Sequence, residues 1–125
     1  MNKVGIIVRA SALHEKDKVR ALRDRLLGEL RTASGLTIEE ASQPSSDHLT
    51  AILVLTGGVE REVLKIVAQL PSPTLLIAHA GHNSLPASLE VLARIRQDGG
   101  EGRILYGSPE AIAEGLKQEL TLANA

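Results

Sequence analysis

The chain contains no cysteine, phenylalanine or tryptophan, and Tyr106 is its single tyrosine. The absence of cysteine excludes disulfide bonds, thiolate nucleophiles and thiolate metal ligands. Aliphatic side chains must therefore fill the core by themselves. Because proteins hold single-stranded nucleic acids largely by stacking bases on aromatic rings, the shortage of aromatic residues argues against such partners.

The chain also lacks an excess of charge of either sign. Fourteen Lys and Arg residues stand against fifteen Asp and Glu residues, for a formal net charge of −1. This balance provides no broad attraction to nucleic-acid backbones or anionic membranes. No apolar run approaches the ~20 residues of a membrane span, so we expect a cytoplasmic protein. Its 125 residues are the size of one domain.

Five short apolar segments have the pattern of β-strands. Continuous apolar runs are typical of strands buried on both faces of a parallel sheet, whereas an alternating run is typical of an edge strand with one wet face. The second segment alternates and is predicted to lie at an edge. The predicted strands are residues 4–8, 36–40, 51–55, 74–78 and 103–106.

Amphipathic helices are predicted after strands one, three, four and five. The first covers about 13–33 and stops at Gly35, the third has Ser84 as its N-cap, and the fourth has Ser108 as its N-cap. Residues 41–49 are polar, contain Pro44 and are too few for a normal helical crossover. The helix between strands two and three is therefore expected to be missing or very short.

This alternation of strands and helices predicts right-handed crossovers and a parallel sheet in the order 2-1-3-4-5. We expect a single three-layer α/β domain of flavodoxin-like plan over residues 1–125. In such sheets ligands bind beyond the carboxyl ends of the strands, near the point where strand order reverses. The loops expected to meet there are 9–11, 56–60, 79–84 and 107–108.

The turn TGGVE joins the third strand to a helix. Gly57 and Gly58 allow backbone amides to approach a ligand, and the following helix N-terminus favours an anionic or oxygen-rich group. Thr56 and Glu60 would contribute an oxygen each. The alternative is a tight turn in which Glu60 makes a capping interaction, since neither GxGxxG nor GxxxxGK[ST] occurs.

The loop HAGHNS concentrates hydrogen-bonding groups after the fourth strand. His79, His82, Asn83 and Ser84 form a dense set of donors and acceptors for a polar ligand. No carboxylate lies in this loop, so we expect no metal site and no cofactor. Under the alternative interpretation, His79 is a neutral histidine bonded to backbone and Asn83 occupies a left-handed turn.

Arg9 and Ser11 complete the candidate ligand-binding residues, because they follow the first strand. Arg9 is suited to a ligand carboxylate or phosphate, but a surface ion pair with Glu60 or another acidic residue is an equal alternative. We interpret His14 and His48 as exposed loop or first-turn residues. No catalytic residue can be assigned from spacing.

The segments LVLTGGVEREVL and PTLLIAHAGHNSLPASLEVLARIRQDGGEGRIL resemble the N-terminal, flavodoxin-like region of L-fucose and L-arabinose isomerase-like proteins. The most specific element is the TGG-x-E turn followed by NSLPA-x-LE. The resemblance implies a substrate-side and oligomer-forming domain, in stand-alone or truncated form. It also implies that the isomerase metal ligands lie in later domains, outside these residues.

We therefore expect a non-catalytic module that binds a small polar or anionic ligand, such as a sugar or sugar phosphate, or that supports assembly. The missing helix would uncover part of one sheet face, which predicts a homo-oligomer or a larger assembly. One alternative is an enzyme component of an aldose–ketose isomerase completed by another chain or domain, with His79 or His82 and Glu60 as acid–base groups. Another is a histidine phosphotransfer protein that carries phosphate on His79 or His82.

Overall fold

Within residues 2–125, which a computed structural model describes, the chain forms a five-stranded, all-parallel sheet in the order β2-β1-β3-β4-β5. This α/β fold of flavodoxin-like plan confirms the prediction. The strands are β1 (Lys3–Arg9), β2 (Thr37–Glu40), β3 (Leu49–Val54), β4 (Thr74–Ala78) and β5 (Gly102–Tyr106). The helices are α1 (Lys16–Ser34), α2 (Glu60–Val67), α3 (Ser84–Gln97) and α4 (Pro109–Ala123). None of these helices is long and apolar enough to cross a membrane.

The sheet separates two aliphatic cores. Because successive side chains of a strand point to opposite faces, Ala51 and Leu53 of β3 join the core under α1 and α4. Ile52 and Val54 of the same strand join the core under α2 and α3. All four side chains are almost completely buried. The continuous apolar run of this strand thus serves both faces.

The predicted absence of a helix between β2 and β3 is confirmed, since residues 41–48 contain none. The imidazole of His48 instead lies directly on Gly5 of β1, and Ile7 on the same face of that strand is fully buried. At the sheet edge, Lys3 forms an ion pair with Glu39 at 3.6 Å. Residues 41–48 therefore cover part of the sheet face that the missing helix would leave bare, and association with a second copy stays a prediction.

Helix ends test the capping predictions individually. Gly35 ends α1 with a left-handed φ of 67°, and the Ser108 hydroxyl accepts the Ala111 amide at 3.1 Å at the start of α4; both predictions are confirmed. The prediction of Ser84 as N-cap is wrong, because Asn83 is the N-cap and α3 begins at Ser84. Helix α1 begins at Lys16 rather than near residue 13, after a turn in which the Ser11 carbonyl oxygen accepts the His14 amide.

Candidate functional site

Three of the four predicted loops are tied together at the carboxyl ends of the strands. The Ser11 amide donates to Thr56 Oγ1 at 2.7 Å and joins the loops after β1 and β3. The Gly57 amide donates to the His82 carbonyl oxygen at 2.8 Å and joins the loops after β3 and β4. These bonds link segments that are distant in sequence, so the edge is held by tertiary contacts.

The polar groups of the TGG turn form hydrogen bonds with other atoms of the chain. Thr56 is 1% exposed, and its hydroxyl donates to the Gly57 carbonyl oxygen at 2.8 Å. The Gly58 amide donates to Glu60 Oε1 at 3.1 Å. Since the amides of Gly57 and Gly58 both have partners, neither is free for an oxyanion in this conformation. Glu60 makes this interaction as the first residue of α2, immediately after the N-cap Val59.

Backbone geometry explains one glycine of the turn. Gly58 has a φ of +83°, in the left-handed region that costs other L-residues about 1–2 kcal/mol. We expect Gly58→Ala to lower the free energy of unfolding by about 1–2 kcal/mol for this reason. Gly58→Asn is the matched variant, because asparagine adopts this conformation more readily. Urea denaturation measures the free energy of unfolding. An alanine variant with the same value as the wild-type protein would contradict the explanation by backbone strain.

His79 has both ring nitrogens occupied. Nε2 lies 2.7 Å from the Leu55 carbonyl oxygen, and Nδ1 accepts the Gly81 amide at 3.1 Å. Because Nδ1 accepts, the ring is in the Nε2–H form and donates to Leu55. His79 therefore fixes the loop after β4 to the end of β3, as in the backbone-bonded alternative considered for it.

The buried Ser84 side chain links the end of β3 to the loop after β4. It is fully buried, and its hydroxyl donates to the Val54 carbonyl oxygen in a short hydrogen bond. The same hydroxyl accepts the His79 amide at 3.0 Å. This commitment explains why Ser84 does not cap α3, and it leaves the hydroxyl inaccessible to a ligand.

His82 and Asn83 adopt consecutive left-handed conformations, with φ values of 56° and 59°. Both residues are exposed. The His82 ring lies 5.6 Å from the ring of His14 and 6.0 Å from that of His79, measured between centroids. His14, which the sequence analysis interpreted only as an exposed residue, thus reaches the candidate site from the turn before α1.

Arg9 does not join this cluster. Its guanidinium donates to the Val8 carbonyl oxygen at 2.9 Å, and no ion pair with Glu60 or another acidic residue is found within residues 2–125. Val8 packs on the α1 and α4 core, so the pleat directs Arg9 to the opposite sheet face. The ion-pair alternative is not observed, and ligand binding by Arg9 stays a prediction.

An open cleft of about 320 Å³ lies beside these loops, between α1, the β4–α3 loop and the start of α4. We call it the C-terminal-edge cleft. Its floor consists of buried aliphatic side chains, and His79 and His82 lie along one wall. The floor residues are Leu30, Leu53, Ile77 and Ile112.

Two charged residues of α1, which were not among the candidate site residues predicted from the sequence, line the C-terminal-edge cleft. Arg25 Nε lies 3.9 Å from Glu29 Oε1, with 64% and 39% of the two side chains exposed. Alternating charges along a helix are typical of a solvated face and do not show which part of α1 borders a cleft. Helical spacing does place both residues near Leu22 and Leu26, which also line it.

The described part of the chain, residues 2–125, contains no group of three or more His, Asp or Glu side chains placed to hold a metal ion. Comparisons with protein-family models, with curated proteins and with solved structures found no match.

Proposed function

We propose that this chain is a binding module for a small polar ligand, a sugar or sugar phosphate, which it holds in the C-terminal-edge cleft without a metal catalytic centre of its own. The observation that carries the proposal is the combination of a buried aliphatic floor with Arg25, Glu29 and His82 around one opening. Small-molecule sites characteristically combine apolar walls with a few convergent polar groups.

The polar groups at the opening suit a ligand with hydroxyl or phosphate oxygens. Arg25 supplies hydrogen-bond donors, Glu29 supplies acceptors, and the exposed His82 ring supplies one of each when neutral. The contact between Arg25 and Glu29 is long, at 3.9 Å. A ligand phosphate would compete well for Arg25, because guanidinium–phosphate pairs form two parallel charge-assisted bonds.

The hydrogen bonds already formed by nearby side chains favour binding over catalysis. The His79 ring, which lines the cleft, and the Ser84 hydroxyl, which accepts the His79 amide, both bond to backbone atoms. A base or nucleophile must be free to reach the substrate. The resemblance of the TGG-x-E and NSLPA-x-LE segments to the substrate-side region of sugar isomerases supports the same class of ligand.

A thermal-shift series tests the proposal with monosaccharides and their phosphates as probes. A ligand present at about 100 times its Kd stabilises the folded state by about 2.7 kcal/mol, which raises Tm by several degrees. We expect at least one probe to do so for the wild-type protein. Arg25→Ala and His82→Ala are each expected to weaken binding about tenfold, which corresponds to about 1.4 kcal/mol.

Arg20→Ala is the matched control, because Arg20 is an exposed arginine of α1 that does not line the cleft. It should leave the ligand-dependent shift unchanged. Unchanged Tm values with the entire panel would contradict a sugar ligand. Equal losses of affinity in the Arg20 and Arg25 variants would instead contradict binding at the cleft.

A further inference from the structure

The polar and apolar parts of the C-terminal-edge cleft are separated in space. Arg25 and His82 lie at its opening and are exposed, as is part of the Glu29 side chain. The four aliphatic side chains of the floor are at most 6% exposed. A ligand that fills the cleft therefore meets charged and imidazole groups at one end and hydrocarbon at the other.

The side chains of the floor offer no hydrogen-bonding group to a ligand, and their backbone groups belong to regular elements. Leu53 and Ile77 are paired with each other in neighbouring strands. Leu30 lies within α1, and the Ile112 amide donates to the Ser108 carbonyl oxygen at 3.0 Å. A sugar hydroxyl placed on this floor would lose its hydrogen bonds to water without replacement, which weakens binding by about tenfold or more.

His79 adds no free ring nitrogen to the wall of the cleft. Its two nitrogens are bonded to the Leu55 carbonyl oxygen and the Gly81 amide. A ligand hydroxyl beside this ring therefore finds no unpaired imidazole group there.

Helix α1 presents the two kinds of surface in adjacent stripes. Leu22, Leu26 and Leu30 follow one another at intervals of four residues, so they lie on one face of the helix, which we call the leucine stripe. Arg25 and Glu29 are offset by one position and form a charged stripe beside it. Leu22 and Leu26 are only partly buried, so the apolar surface continues beyond the floor. This arrangement suits a ligand with one polar and one apolar part.

We propose that the ligand of the C-terminal-edge cleft is a sugar derivative that carries a short apolar substituent, an O-alkyl or O-acyl group. The substituent lies on the floor and the leucine stripe, and the sugar hydroxyls face Arg25, Glu29 and His82 at the opening. A volume of about 320 Å³ is at the lower end of the range for small-molecule sites, so the substituent is short. This inference rests on the proposed function and specifies which class of sugar the cleft selects.

Isothermal titration calorimetry with paired glycosides tests this specificity. The probes are the methyl and propyl β-glycosides of glucose, galactose and mannose. Each methylene group that moves from water onto an apolar surface strengthens binding about fourfold. We expect the propyl glycoside of at least one sugar to bind about tenfold more tightly than its methyl glycoside. 1-Propanol alone should bind far more weakly, because it lacks the sugar that contacts the opening.

Two variants separate the two ends of the ligand. Leu26→Ala removes part of the leucine stripe, so it is expected to lower the ratio of propyl to methyl affinity about threefold. Arg25→Ala should weaken the binding of both glycosides by the same factor and leave that ratio unchanged. Circular dichroism verifies that the variants are folded.

Val19→Ala is the matched control for Leu26→Ala. Val19 is another partly buried residue of α1 and packs on the same core, but it does not line the C-terminal-edge cleft. The control variant should therefore bind both glycosides like the wild-type protein. Equal reductions of the propyl-to-methyl ratio in the Leu26 and Val19 variants would overturn the inference.

The inference and the proposed function fail on different results. Propyl glycosides that bind no more tightly than the methyl glycosides of all three sugars would overturn the inference, as would 1-propanol that binds as tightly as the propyl glycosides. Neither result contradicts the proposed function, which the free sugars and sugar phosphates test separately. Absence of binding by every sugar, sugar phosphate and glycoside would overturn both.

Discussion

Ser84→Ala is expected to lower the free energy of unfolding by about 2–6 kcal/mol, since each of two polar groups that it leaves unpaired costs about 1–3 kcal/mol when buried. The two groups are the Val54 carbonyl, which accepts from the Ser84 hydroxyl, and the His79 amide, which donates to it. Ser84 has no exposed surface, so bulk water does not readily replace the hydroxyl. Urea denaturation followed by circular dichroism measures the loss.

Ser88→Ala provides the control for this prediction. Ser88 is also fully buried and lies in the same helix. Its hydroxyl donates to the Ser84 carbonyl oxygen at 2.8 Å, an acceptor that also receives a helical backbone bond. Ser88→Ala should therefore lower the free energy of unfolding clearly less than Ser84→Ala does. Equal losses would show that burial of a serine, rather than the link between β3 and the β4–α3 loop, determines the effect.

Gly5→Ala is expected to lower the free energy of unfolding by about 1–3 kcal/mol, the usual range for overpacking a well-packed region. A Cβ atom at position 5 would overlap the imidazole of His48. The ring must then move away from the sheet and lose its contact with β1. The Nε2 atom of His48 is buried there without a hydrogen-bond partner within the described residues, so the ring is held by packing.

A double-mutant cycle identifies the cause of this loss. In a His48→Ala background the added methyl group meets no ring, so Gly5→Ala should cost much less than in the wild-type protein. Gly28→Ala is a second control, because a Cβ at that position of α1 has no neighbouring heavy atom within 4 Å. It should be neutral or stabilising by up to about 1 kcal/mol. Additive effects of the Gly5 and His48 substitutions would refute the proposed overlap.

Strands β3 and β4 were predicted well because a short, continuous apolar run is typical of a strand in a sheet covered on both faces. The predicted range for β4 agrees with the observed strand, and β3 differs by only a few residues at its ends. Gly35 and Ser108 were predicted correctly because their roles are local. A left-handed C-terminal residue and an N-cap hydroxyl depend on the adjacent turn alone.

Ser84 was misassigned because its partners are distant in sequence. A serine before a helix has the local pattern of an N-cap, but here its hydroxyl bonds to the end of β3. Gly5 carried a signal that was not used, since a glycine within a strand often marks a close approach of another group. The identity of that group, His48, follows only from the missing crossover helix and the path of residues 41–48.

For the candidate site too, the sequence predicts the position of the loops but not the partners of their polar groups. Sequence patterns placed the TGG turn and the two histidines of HAGHNS at the carboxyl ends of the strands, where the structure has them. The partners of their amides and rings were not predictable, because a hydrogen bond between separate loops depends on distances of a few tenths of an ångström. The positions of His14, Arg25 and Glu29 around the site depend on how α1 packs against its neighbours.

The sequence by itself determined the fold class, the order of the strands, the absence of one helix and the edge of the sheet at which polar loops gather. These properties follow from hydrophobic periodicity, connection length and the handedness of crossovers. Only the tertiary structure decided which loop groups are bonded within the chain and which border an open cleft. Clefts form where helices and loops leave space between them, and the local sequence does not encode how these elements pack.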